Sequence, residues 1–176
     1  MSGTTGLKPY AQYVQDLGAR ESGGDYKAKN QFGFLGKYQF GLARLSDLGL
    51  CTRVAGTTGA ANRNFTWVPP YSEAAFLGTP ALQDQCFDVH VGRYANWMAL
   101  KYTQAMGRVF CGVTVTVSGA IAVCHLVGLG GFMDLIKGHD AQDANGTRAS
   151  EYAGKFGGYA IPVGLPLKLK RSTAVA

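Results

Sequence analysis

Apolar residues at helical spacing open the chain: Leu7, Tyr10, Val14 and Leu17 share one face of a first helix that reaches Glu21 and is broken by Gly23-Gly24. Residues 25 to 36 read as a glycine-punctuated loop or short hairpin. A second helix is expected from about Tyr38 to Gly49. Residues 51 to 72 are polar and turn-rich, with Trp67 and Pro69-Pro70 as their firm features. Thr79 as N-cap and Pro80 at the first helical position predict a long helix to about Met106, with Leu82, Cys86, Val89, Tyr94 and Trp97 on its buried side.

From Val109 to Met133 there is no charged residue, a length that would cross a membrane. Thr114, Thr116, Ser118 and His125, with five glycines, make it a poor lipid-facing helix, and Asp134 ends it. The pattern therefore predicts a buried central helix from near Ser118, a short helix ending near Gly138, a polar loop, and a last helix over Ala149 to Phe156. The expected fold class is mainly α, in the α+β sense: a helical bundle around a buried central helix, with a small hairpin or loop lobe.

Composition narrows this picture. With 176 residues, 47% apolar and 16% charged, the chain can form one domain with a real core, read as about 7–160 followed by a basic tail at 161–176. Seventeen Lys and Arg against 11 Asp and Glu give a net charge of +6 and attraction to polyanions. The basic residues are scattered except for Lys168, Lys170 and Arg171 in the tail, and they do not form a nucleic-acid module. Cys51, Cys86, Cys111 and Cys124 lack the C-x-x-C spacing of a zinc or redox site. Cys124, in an apolar run, reads as a small hydrophobe. The even count permits one or two disulfides in an oxidising compartment without requiring them.

The chemistry concentrates in two short strings, Arg20-Glu21-Ser22-Gly23-Gly24 and Gly36-Lys37-Tyr38-Gln39-Phe40. A Glu beside an Arg at a helix end is ordinarily a solvated or ion-paired residue. A carboxyl group where a helix runs into a glycine pair, facing a second glycine-led segment, is also how a one-acid glycosidase presents its proton donor. The pair resembles the goose-type lysozyme and lytic transglycosylase superfamily. There the Glu of Glu-Ser-Gly-Gly is the catalytic acid and a Gly-Leu-Met-Gln type segment lines the sugar cleft; Lys37 and Tyr38 depart from that apolar pair. The stretch from Phe76 to Gln85, then His125 to Gly131, Asp143 to Thr147, Tyr152 and Lys155 to Tyr159 resemble phage-tail and secreted-effector members, so the resemblance covers roughly residues 10 to 160.

The resemblance implies cleavage of the β-1,4 bond between N-acetylmuramic acid and N-acetylglucosamine in peptidoglycan, with Glu21 as general acid. Such an acid must stay protonated near neutral pH, which requires apolar walls; Phe32, Phe34, Tyr38 and Phe40 are the local supply. Ser22, Tyr38 and Gln39 are candidates to bind the sugar or orient the carboxyl group. Tyr152 resembles the tyrosine beside the acid, and His125 falls where transglycosylases carry an Asn that touches substrate. Trp67, Tyr71 and Trp97 are candidate stacking platforms.

A second carboxylate would activate water and give hydrolysis, whereas its absence lets the muramic 6-hydroxyl attack and gives a 1,6-anhydro product. Residues 26 to 36 contain no such group, leaving Asp25 nearby and Asp143, with Asp140 and Glu151, only if the C-terminal loop folds over the cleft. The reading leans to transglycosylase chemistry. No cofactor and no metal are expected: Asp140, Asp143, Asn145, Gly146 and Glu151 fail the calcium-loop spacing and read as a turn and helix cap. Cys124 and His125 point about 100° apart on a helix and cannot form a dyad. His90 and His139 read as surface or helix-packing residues.

Met1 to Tyr10 has no apolar h-region and shows no Sec signal. An enzyme acting in the periplasm or cell wall would then be delivered by phage release, a virion or a dedicated secretion system, unless this is a domain of a longer chain. The expected partners are bacterial peptidoglycan, an immunity or inhibitor protein and a delivery apparatus, without nucleic acid or stable membrane insertion. Two other classes fit the residues: a non-catalytic peptidoglycan-binding module, suggested by Lys37 and Tyr38, and a membrane-permeabilising protein using residues 109–133.

Overall fold

Glycines with left-handed backbone follow several of this chain's helices, and the first of them come two residues after Glu21. In the computed structural model, which describes residues 6–170, α1 (Tyr10–Ser22) ends where Gly23 and Gly24 take φ of 70° and 85°. A side chain would strain there, so the break is dictated by residue type. Met1 to Thr5 and Arg171, the last of the three tail cations, lie outside the described residues. The elements that follow are α2 (Leu42–Asp47), β1 (Cys51–Arg53), β2 (Phe65–Trp67), α3 (Glu73–Gly78), α4 (Pro80–Lys101), β3 (Val109–Phe110), β4 (Val113–Thr114), α5 (Val117–Leu135) and α6 (Ala149–Lys155). Among the described residues, six α-helices and two small two-stranded antiparallel sheets make a mainly α, α+β fold.

Several boundaries differ from the sequence expectation. α2 begins at Leu42, not Tyr38, because residues 36–39 are consumed by a tight loop between Leu35 and Phe40, whose N–H and C=O groups pair at 3.0 and 2.9 Å. The turn-rich stretch holds β1 and β2 in register Cys51↔Trp67, strands of three residues too short to show alternation. Ser72 caps α3, accepting from the Ala75 N–H at 3.1 Å. α4 stops at Lys101, before a 3₁₀ turn at Thr103–Ala105. Trp97, expected on the buried side of α4, is 39% exposed.

Packing divides the described residues into two compact units: residues 15–90 with 165–170, and residues 6–14 with 91–164. The division falls within α1 and within α4, so each of these helices contributes residues to both. In the first unit, Leu17, Leu35, Tyr38, Phe40, Leu45, Leu50, Phe76 and Phe87 are buried, and Tyr38 stacks on Phe87 with centroids 4.1 Å apart. His90 belongs to this aromatic cluster, edge-on to Phe40. In the second unit, α5 packs on α6. Gly119 permits their approach, because a Cβ there would lie 2.5 Å from the Ala153 carbonyl oxygen.

The uncharged run resolves into two parts. Residues 109–114 form the β3–β4 hairpin, whose Cys111-Gly112 turn has φ of 46° and 78°. α5 follows, with Thr116 accepting from the Gly119 N–H at 3.1 Å and with Ser118 to Cys124 buried. At Gly128 (φ 74°, ψ 177°) α5 kinks, so the short helix expected to end near Gly138 is its second segment. α5 is long and apolar enough to cross a membrane by length and composition, and half of its most apolar window is buried against the rest of the protein. The Tyr13 hydroxyl donates to the Ser118 carbonyl, and the Ser118 hydroxyl accepts from the Tyr159 N–H.

The four cysteines are free thiols. Burial raises the Cys51 thiol from 9.0 to about 11 and the Cys86 thiol to about 12, because a thiolate loses hydration in the core. Above pH 9 the unfolded chain therefore releases protons that the folded chain keeps, and stability falls as pH rises from about 9 towards 11. Urea midpoints should drop over that window, and less so after Cys86→Ala. At pH 8 a thiol reagent should label exposed Cys111 first, with Cys51, Cys86 and Cys124 protected until unfolding. Rapid labelling of Cys86 in the folded protein would contradict this packing.

Candidate functional site

Glu21 lies in the last turn of α1, half-buried, with Ser22 beside it as the final helical residue. The Ser22 hydroxyl donates to the Lys37 carbonyl at 2.9 Å, the shortest of its three acceptor distances; the Asp25 and Gly18 carbonyls lie at 3.3 and 3.5 Å. A hydroxyl has one proton, so its role is to tie the end of α1 to the 36–39 loop. The two sequence strings, separated by eleven residues, thus meet through one hydrogen bond.

The loop is locked from below by Gln83 of α4. Its fully buried amide donates to the Tyr26 and Phe76 carbonyls at 2.8 and 2.9 Å and accepts from the Lys37 N–H at 2.9 Å. Gly36 is required twice over. Its φ is 72°, and a Cβ would collide with Gln83 Oε1. Gln39 is also left-handed, at φ 47°, which costs on the order of 1–3 kcal/mol for a side-chain-bearing residue. Its Nε2 turns back to donate to the Gly36 carbonyl at 2.9 Å, so the amide expected against the sugar braces its own loop.

Lys37 and Tyr38 enter a polar network. The Lys37 stem crosses α1 at Gly18, where a Cβ would meet the lysine Cε at 2.6 Å. Its Nζ donates to Tyr26 Oη at 3.1 Å, sits about 5 Å from the ring centres of Tyr26 and Tyr38, and lies 3.8 Å from Asp84 Oδ1. Asp84 in turn accepts from Tyr26 at 2.9 Å and from Tyr38 at 2.7 Å. The partly desolvated ammonium therefore keeps a counter-ion and two ring faces. Tyr38, expected to touch substrate, is fully buried: its ring packs on Phe87 and its hydroxyl belongs to Asp84.

The other sequence candidates are placed as follows. Asp25 is exposed, and its Oδ1 accepts from the Lys27 N–H at 2.8 Å in a local turn. Of the four aromatics expected to wall the acid, Tyr38 and Phe40 are in the core while Phe32 and Phe34 are half-exposed. Trp67 and Tyr71 are half-buried, and the Trp67 ring leans on Phe76. His125, Tyr152 and Asp143 belong to the second unit. His125 is half-buried on α5, three residues before its kink. Tyr152 is buried on α6 against Phe156, a core position where a sugar contact was expected. Asp143 accepts from the Asn145 and Thr147 N–H groups at 2.9 and 2.8 Å, and Asp140 holds Ser150 at the start of α6, the turn and cap that the sequence suggested. Among the described residues no group of three His, Cys, Asp or Glu could hold a metal ion.

Tyr26, Gln83 and Asp84 are the site residues that sequence reasoning passed over. A signal existed for Gln83: it falls three residues before Cys86 and four before Phe87, on the apolar stripe of α4, where an amide needs a reason. Gln83→Leu should cost roughly 2–4 kcal/mol in urea unfolding, since it strands an N–H and two carbonyls. Gly36→Ala should cost a similar amount, and less in a Gln83→Ala background where the collision is relieved. Additive losses in that double-mutant cycle would refute the proposed contact.

No protein-family model, curated protein or solved structure matches this chain, so its function has to be argued from the chemistry of these residues.

Proposed function

We propose that this protein is a lysozyme-like glycosidase that cleaves the glycan strand of bacterial peptidoglycan, with Glu21 as its general acid. The observation that carries the reading is the Ser22–Lys37 hydrogen bond, which joins the end of the acid-bearing helix to the glycine-led loop. Glycosidic cleavage by one acid needs a carboxyl group held rigidly beside a shaped backbone edge. Here a helix end, a left-handed glycine pair and a four-residue loop supply that rigidity.

Glu21 donates its proton to the leaving O4, and positive charge develops at C1 of the muramic residue. With no carboxylate to activate water, the muramic 6-hydroxyl attacks C1 and returns its proton to Glu21, leaving a 1,6-anhydro end. The engagement of the candidate carboxylates supports this route over hydrolysis. Asp25 is engaged in its own turn, Asp84 accepts from two tyrosines and lies beside a lysine, and Asp143 holds the N–H groups of its loop. The enzyme would act in the periplasm or wall, and the burial of α5 supports a core helix over membrane insertion.

Glu21→Gln should leave the melting temperature unchanged and reduce solubilisation of purified wall at least ~100-fold, because the amide cannot donate the proton. Activity within threefold of the wild type would discard Glu21 as the acid. Mass spectrometry of the digest should show 1,6-anhydromuropeptides as the main product. Reducing muramic ends that disappear in Asp25→Asn or Asp143→Asn would instead identify a hydrolase with a second carboxylate.

A further inference from the structure

The loop before the glycine-led motif presents two phenylalanines to solvent. Phe32 is 50% and Phe34 40% exposed, although the loop between them is rigidly made. Asn30 Oδ1 accepts from the N–H groups of Phe32 and Phe34 at 2.9 and 3.1 Å, and the Asn30 N–H donates to the Phe34 carbonyl at 3.2 Å. Asn62 closes the tip from the other side: its Nδ2 donates to the Phe32 and Gly33 carbonyls at 3.1 and 2.8 Å, and its Oδ1 accepts from the Leu42 N–H at 2.8 Å. Gly33, at φ 78°, makes the turn. An Asn at each flank therefore fixes a tip that leaves two apolar rings about half-exposed, the Phe34 ring edge lying against Gly41, an arrangement that folding alone does not favour.

Charge on this part of the chain is one-sided. Between Asp25 and Glu73 there are six lysines and arginines and one carboxylate, Asp47. Lys29 pairs with Glu73, Lys37 with Asp84 and Arg44 with Asp47, while Arg53 lies over the Phe65 ring. Lys27 and Arg63 remain exposed without a carboxylate partner among the described residues. Lys27 precedes the tip, and Arg63 adjoins the Asn62 that closes it. The same hairpin continues through Leu35 into the Gly36–Gln39 loop.

We infer that the Phe32–Phe34 tip is a binding subsite for an anionic glycan, the two rings stacking on pyranose faces while Lys27 and Arg63 meet carboxylates carried by the strand. Aromatic faces take up the apolar face of a sugar ring, and exposed cations add a salt-dependent attraction for acidic substituents. The inference rests on the reading of the adjoining loop as part of a peptidoglycan-cleaving site, and it assigns the tip to holding the strand, away from proton transfer.

The test uses the Glu21→Gln protein, so that binding is read without turnover. Co-sedimentation with purified sacculi should weaken on the order of tenfold in Phe32→Ala/Phe34→Ala, the scale of losing exposed aromatic anchors. Lys27→Ala/Arg63→Ala should weaken it several-fold and flatten its dependence on ionic strength. Unchanged melting temperatures would show that the tip, not the fold, was altered. Unchanged sedimentation of the phenylalanine variant overturns the inference. So does binding to a single-stranded oligonucleotide or to phosphatidylglycerol vesicles as tight as to sacculi and lost in the same variant, since the tip would then serve nucleic acid or lipid. Failure of the Glu21 protein to lyse wall strikes the glycosidase reading alone, because sedimentation of the Glu21→Gln protein is scored separately.

Discussion

One buried amide sets the geometry on which the candidate site depends. Gln83 occupies the volume that a Cβ on residue 36 would need and satisfies three backbone groups from three separate segments. A buried polar group is tolerable only when its hydrogen bonds are complete, and completing them fixes where each segment must lie. Gly36, Lys37, Tyr26 and Phe76 are thereby held on one side chain. The left-handed Gln39 and the Ser22 hydroxyl bond are consequences of that placement, since a loop so short and so constrained can close only with strained backbone near its end.

The same constraint explains how Lys37 and Tyr38 are accommodated. A loop pinned by Gln83 directs the Lys37 stem over Gly18 and the Tyr38 ring onto Phe87. Both polar ends then reach Asp84, which sits one residue after Gln83 on α4. The polar groups are compensated: aliphatic stem and aromatic ring supply the packing, and the carboxylate with Tyr26 partners the ammonium and the hydroxyl.

In the second unit the controlling constraint is close backbone approach. Gly119 lets α5 lie against the Ala153 carbonyl, and Ser118 links Tyr13 to the backbone at Tyr159. Small residues and one satisfied hydroxyl explain why a helix apolar enough for a membrane carries Ser, Thr and Gly at its start: these are the positions where neighbouring chain packs most tightly.

Local rules in the sequence were sufficient for the end of α1, the start of α4, the last helix and the turn at Asp143, because glycine, proline and Asx chemistry act over a few residues. The strings around Glu21 and Gly36 were legible for the same reason. What the sequence could not show were the relations among distant residues: that Tyr38 is core and Phe32 and Phe34 are surface, that Trp97 faces out, and that β1 and β2 pair across an eleven-residue loop. Each of these depends on which neighbours arrive from elsewhere in the chain. An aromatic is equally apolar in a core or on a loop tip, and three-residue strands carry no period of their own. Only the tertiary structure, by bringing Gln83, Asp84 and Asn62 to segments twenty to fifty-eight residues away, decided which side chains are enclosed and which are presented.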